Sequence, residues 1–136
     1  MSNNHKTVLL IDDNDVDLKI NSKIIKISNL FEEIITCLSA EEALNYLHTT
    51  LNNGGKLPDF ILLDIQMPDM DGFEFLEVYK DLPKRLTQNC SIAMLSSTLD
   101  FGDLKRAEAS PHVVKLLKKP LLPKELAEVL KKHLHS

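Results

Sequence analysis

Short apolar runs recur along the chain, and each stops at a polar residue able to do chemistry. Val8–Ile11 leads into Asp12-Asp13, Phe60–Leu63 into Asp64, Ile92–Leu95 into Ser96, and Val113–Leu117 into Lys118-Lys119-Pro120. Unbroken aliphatic runs of this length suit strands covered on both faces. They predict strands at Thr7–Ile11, Phe60–Leu63, Ser91–Leu95 and Val113–Leu117, with a less apolar one at Glu33–Cys37. Between them the pattern turns helical. Asp15–Ser28 carries Val16, Ile20, Ile24 and Ile27 at helical spacing, the expected core stripe, with Leu18 and Ile25 off it. Ser39-Ala40-Glu41-Glu42 has capping-box spacing and opens a second helix with Ala43, Leu44 and Leu47 on its apolar face. Asn52–Pro58 reads as a loop.

Further helices are expected from Gly72 or Phe73 to Asp81, over Phe101–Ala109 with Leu104 and Ala107 inward, and from Pro123 onward. Proline suits a first helical turn, and Leu126, Val129, Leu130 and Leu134 supply the last apolar stripe. Five β–α repeats imply an α/β fold, with a parallel sheet between two helical layers. Ligands of such folds bind at the carboxyl ends of the strands. Every reactive candidate above falls at such an end.

Composition narrows the function class. The 136 residues fit one domain, and 43% hydrophobic content is enough for one core. The net charge of −4 and the lack of a basic stripe argue against DNA binding. No apolar stretch approaches the ~20 residues of a membrane span, and the polar Met1–Lys6 is not a signal peptide. Cys37 and Cys90 flank apolar runs and read as small core residues rather than a disulfide. Gly54-Gly55 lacks the Gly-Lys-Ser/Thr ending of a nucleotide phosphate loop. The expectation is a cytoplasmic single domain over 1–136 with no output domain.

Asp12, Asp13 and Asp64 at one strand edge repel one another, which raises carboxyl pKa values in the absence of a cation. All-oxygen ligation suits Mg²⁺, which also orients phosphoryl oxygens. Taken alone, Asp12-Asp13 also reads as a helix N-terminal acidic pair, and Asp64 as a loop cap. A carboxylate after four large apolar residues sits near the core, however, and carboxylates act as nucleophiles that carry phosphate. Lys119 supplies countercharge worth about 4 kcal/mol at contact. A Ser96 hydrogen bond to a phosphoryl oxygen adds about 1.5–3 kcal/mol. Full switching needs about 5.5 kcal/mol, so both contacts are required. Ser97 competes with Ser96 for this role, and Lys118-Lys119 also reads as a solvated pair.

Together, Asp12-Asp13, Asp64, Met67-Pro68-Asp69-Met70-Asp71-Gly72, Leu95-Ser96-Ser97 and Lys119-Pro120 resemble the receiver domain of two-component response regulators, over about Lys6 to Leu134. The resemblance implies a flavodoxin-like doubly wound (βα)5 three-layer sandwich with strand order 2-1-3-4-5; the order comes from the resemblance, not from periodicity. It implies Asp64 as phosphoacceptor, Asp13 binding Mg²⁺ directly, Asp12 through water and the Gln66 backbone carbonyl as a further ligand. It places Ser96 and Lys119 on the phosphoryl group, with a cis Lys119-Pro120 bond. The donor would be a sensor histidine kinase or histidine phosphotransfer protein, and the output an unidentified downstream protein.

Leu116 stands where receivers often carry an aromatic three residues before the lysine, so an aromatic switch coupled to Ser96 is not expected in its usual form. Gln66 and Thr98, neither acidic, point to a moderate or long phosphoryl lifetime. Leu18 and Ile25 are candidate docking residues for the donor, and Lys115 and Leu116 belong to a second candidate surface. Met67, Met70, Phe73 and Phe75 read as packing rather than a ligand box. His5, His48, His112, His133 and His135 lack metal-ligand spacing and are expected to be exposed or terminal. Two other readings stand beside the receiver. One is a receiver-like binding module that is never phosphorylated. The other is an aspartyl-phosphate phosphohydrolase similar to the haloacid-dehalogenase group, whose second Asp is Gln66 here.

Overall fold

The computed structural model describes residues 6–133. Five strands, β1 (Thr7–Ile11), β2 (Glu33–Cys37), β3 (Phe60–Asp64), β4 (Ser91–Ser96) and β5 (Val113–Lys118), form one sheet in the order β2-β1-β3-β4-β5. All four pairings are parallel. Among the described residues the helices are α1 (Asp15–Ser28), α2 (Ala40–Asn53), α3 (Gly72–Tyr79), α4 (Lys84–Thr87), α5 (Phe101–Ala109) and α6 (Pro123–His133). The architecture is therefore the expected flavodoxin-like three-layer sandwich.

Alternate strand residues divide the core between the two faces. Leu9, Ile11, Ile61, Leu63, Ile92 and Met94 pack with α2, α3, α4 and α5 residues such as Leu47, Phe75, Leu86 and Ala107. Val8, Leu10, Leu62, Ala93 and Leu95 pack with Leu18 and Ile25 of α1 and with Leu126, Val129 and Leu130 of α6. Two-sided burial explains why these strands are aliphatic throughout rather than alternating. Met67, Phe73 and Phe75 are core residues, and Met70 packs against them. Cys37 and Cys90 are free and buried, and burial pushes both thiols up to about 12.

Helix α1 reverses the expected packing. Leu18 (4% exposed) and Ile25 (0%) face the sheet, while Val16 (62%), Ile20 (49%) and Ile27 (76%) face solvent. Ile24 is only half-buried. At about 100° per residue, positions 16, 20 and 27 lie opposite positions 18 and 25. The helix is apolar on both faces, so periodicity alone does not select the buried one. Leu18 and Ile25 are thus core residues and not a docking surface. Leu116, offered above as part of a second surface, is likewise buried, while Lys115 is exposed. Ile25→Ala is expected to cost about 2–5 kcal/mol in urea unfolding. Ile20→Ala should stay within about 0.5 kcal/mol of wild type.

Other differences are local. Helix α2 continues through Asn53 and ends at Gly54 in the left-handed conformation (φ 71°), so it takes the first part of the expected loop. Ser39 caps α2 through Glu42 N–H, but the Glu42 carboxylate accepts from Leu38 N–H rather than closing the box on Ser39. Helix α3 ends at Tyr79, and the one-turn α4 is an addition. His48 and His133 are exposed, and His112 lies edge-on to Tyr79 at 5.3 Å between ring centroids. His5, His135 and Leu134 lie outside the described residues.

Candidate functional site

Strand register assembles the site. Ile11 pairs with Leu63, so Asp12 and Asp64 leave the sheet side by side. Asp64 pairs with Leu95, which places Ser96 next to it at the end of β4. Lys119 N–H donates to the Ser96 carbonyl at 2.7 Å, fixing the backbone from which the ammonium reaches back across the edge. The Lys119-Pro120 bond is cis, as the resemblance implies.

Asp12, Asp13 and Asp64 each present a carboxylate oxygen, all within 4.8 Å of one another. Asp12 and Asp64 are buried, while Asp13 is exposed. Lys119 Nζ lies 2.9 Å from Asp12 Oδ2, 3.3 Å from Asp64 Oδ1 and 3.0 Å from Asp17 Oδ2. Burial, then the Asp12 carboxylate, pushes Asp64 up to about 7, with Asp13 adding to the rise and Lys119 opposing it. Burial works against the Lys119 charge, but the hydrogen bonds it donates to Asp12 and Asp17 overcome this and raise its pKa. A cation beside the three carboxylates would relieve their repulsion, and their hard oxygen donors fit Mg²⁺.

Ser96 is wholly buried, its Oγ accepting from Thr98 N–H at 3.2 Å, whereas Ser97, Thr98 and Gln66 are exposed. Burial at the strand end favours Ser96 over Ser97 as the hydroxyl belonging to the site. Lys118 is exposed, whereas Lys119 is half-buried with its ammonium among the carboxylates.

The loop after Asp64 is held tightly. Gly72 N–H donates to the Ile65 carbonyl at 2.8 Å, and Asp71 and Glu74 form a reciprocal capping box at the start of α3. The sequence reading missed that box, although Asp-x-x-Glu carries its spacing. A Cβ on Gly72 would sit 2.7 Å from the Asp64 carbonyl oxygen and 3.0 Å from Ile65 Cα. Both are backbone atoms, so the strain cannot be relieved by a rotamer change. Gly72→Ala is expected to cost about 1–3 kcal/mol and to shift the amide resonances of Asp64 and Ile65 in NMR spectra. A variant with wild-type stability and spectra would contradict this packing.

Asp17 is the contact that sequence reasoning missed. In the sequence it is simply an acid in the first turn of α1, where negative charge suits the helix dipole. Its partner lies 102 positions away, so no local signal reveals the pairing.

The family model for the response regulator receiver domain matches residues 8–131. The chain belongs to the response regulator receiver family. A two-component response regulator from Cytophaga hutchinsonii superposes with a TM-score of 0.90 at 33% identity, covering 98% of this chain and 99% of that one. A receiver protein from Dyadobacter fermentans gives 0.86 at 38% identity, with 96% and 99% covered. Hybrid signal transduction histidine kinase L of Dictyostelium discoideum is 31% identical over 93% of this chain, which spans 7% of that protein's length. Receiver domains of this family are signalling phosphoacceptors that bind Mg²⁺ in an acidic pocket. Among the described residues, no helix is long and apolar enough to cross a membrane.

Proposed function

We propose that this receiver accepts a phosphoryl group on Asp64 from a phosphohistidine donor and passes the change on through protein contacts. The observation that carries the reading is the Lys119 ammonium set 3.3 Å from the Asp64 carboxylate, inside a three-carboxylate cluster of metal-holding geometry. Asp13, Asp64 and the Gln66 carbonyl would hold Mg²⁺, with Asp12 engaging it through water. When bound, the cation offsets the charge of the carboxylates and of the incoming phosphoryl oxygens.

An Asp64 carboxylate oxygen forms the new bond to phosphorus while the P–N bond breaks. The departing imidazole nitrogen keeps that electron pair. Lys119 holds charge on the phosphoryl oxygens, and the Ser96 hydroxyl donates to one of them. Ser96 then pulls on the 97–100 segment that leads into α5. This offers a route to the surface that needs no aromatic at Leu116. The exposed Val16 and Ile20 on α1, rather than Leu18 and Ile25, are the apolar contacts offered to a histidine kinase or histidine phosphotransfer protein. Such partners place the domain in the cytoplasm.

Phosphoramidate, a small P–N donor, tests the reading. With Mg²⁺, one slower species is expected on a phosphate-affinity gel, and EDTA should prevent it. With Gln66 and Thr98 both non-acidic, decay after donor removal should be moderate or slow. No shifted species, or a shifted species unaffected by EDTA, would count against the proposal.

A further inference from the structure

The geometry points to Asp17 as a positioning residue that holds the Lys119 ammonium on α1 until a phosphoryl group on Asp64 takes it. This rests on the phosphoacceptor reading of Asp64 and adds a regulatory element to the same site.

An ammonium has three N–H donors. In this chain they face three carboxylates, Asp12, Asp17 and Asp64. Asp12 and Asp64 belong to the metal-holding cluster, and Asp17 does not. The placement of Asp17 follows from how α1 begins. Asn14 is the N-cap and accepts from Asp17 N–H at 3.0 Å. An acid three residues after the cap commonly reaches back to the cap's own N–H. Here Asp12 Oδ1 already takes Asn14 N–H at 2.9 Å, which leaves the Asp17 carboxylate for Lys119.

A phosphoryl group on Asp64 brings extra negative charge and strong acceptor oxygens. The acyl phosphate replaces the Asp64 carboxylate as a partner and carries more negative charge, so the ammonium is drawn toward the phosphoryl oxygens and the more weakly held of its other two contacts is released. Asp17 is the most readily solvated of the three, with its side chain 35% exposed against 4% for Asp12 and 6% for Asp64. It is therefore the partner given up. Release frees the first turn of α1 from the site, directly beside the exposed Val16. The state of the acceptor is thus transmitted to the apolar face of α1. Asp17 also competes with the phosphoryl group, so its removal strengthens phosphoryl binding.

Beryllofluoride, a non-covalent phosphoryl mimic, tests this by amide NMR titration at saturating Mg²⁺. Asp17→Asn should bind it about 3–5-fold more tightly than wild type, the scale of a half-exposed ion pair. Asp17→Glu should remain at the wild-type affinity. Asp15→Asn removes the same charge from the same helical turn, but Asp15 pairs with Lys19 at 3.2 Å, so it should change nothing. In wild type, the Asp17 carboxyl carbon resonance should move on titration while that of Asp15 stays. Wild-type or weaker affinity in Asp17→Asn, equal tightening in Asp15→Asn, or an unmoved Asp17 resonance would overturn the inference. Failure of wild type to bind beryllofluoride with Mg²⁺ would instead overturn the phosphoacceptor reading, and this inference with it.

Discussion

Asp64→Asn is expected to give a protein that takes up no phosphoryl group yet unfolds at a higher temperature than wild type when divalent cations are absent. The carboxyl is pushed from its ordinary 3.8 to about 7 by burial and by Asp12. A raised carboxyl pKa means that the folded state binds the proton more tightly than the unfolded chain does. Its stabilisation is full below about pH 4 and is lost as pH rises to about 7. Above that, ionised Asp64 is a constant burden on the fold. Asparagine keeps the shape and removes the burden. The gain is on the order of 1–2 kcal/mol near neutral pH once solvent on the open side of the site is allowed for. The melting temperature should rise by several degrees. The difference between the proteins should shrink as pH falls from 7 to 4. Saturating Mg²⁺ should narrow it too, because the cation binds the folded wild type more tightly than the variant. Equal melting temperatures at every pH in EDTA would contradict the raised pKa.

Lys119→Ala is expected to act in the opposite direction. Asp12 and Asp64 would then be buried at the strand edge without countercharge, and breaking such pairs is more damaging than replacing them whole. A loss of about 2–4 kcal/mol near neutral pH is expected in EDTA. The Lys119 pKa is raised, so in wild type its contribution is full below the ordinary 10.5 and is lost only at higher pH. In the variant, Asp64 should be raised further, so the loss shrinks at acid pH as that carboxyl protonates. Mg²⁺ should recover part of it by occupying the same acidic edge. Phosphoryl-dependent change should also be weakened, since Ser96 alone offers about 1.5–3 kcal/mol of the about 5.5 kcal/mol needed. Urea unfolding at pH 5 and pH 7.5, with EDTA and with Mg²⁺, checks the pattern. A pH-independent loss, or none, would show that Lys119 is not the countercharge.

The site was legible because a parallel sheet gathers its strand ends. With Val8–Ile11, Phe60–Leu63 and Ile92–Leu95 as strands of one parallel sheet, Asp12, Asp64 and Ser96 share an edge, and the resemblance adds that these strands are neighbours. The bounds of β1, β3 and β4 followed to within one residue for the same reason, since two-sided burial leaves unbroken aliphatic runs. Helix α1 was not legible in this way. Val16, Ile20 and Ile27 keep helical spacing as well as Leu18 and Ile25 do, and only packing on the sheet distinguishes the faces. The one-turn α4 is too short to carry a period. The Asp17–Lys119 contact joins the first helix to the end of the last strand, and a local charge pattern carries no trace of it.

The most direct test of the account is intact mass after incubation with acetyl phosphate and Mg²⁺, for wild type and Asp64→Asn. One added phosphoryl group is expected on wild type, absent when EDTA is present and absent from Asp64→Asn. Equal uptake by both proteins, or a wild type that stays unmodified with acetyl phosphate and with phosphoramidate, would contradict it.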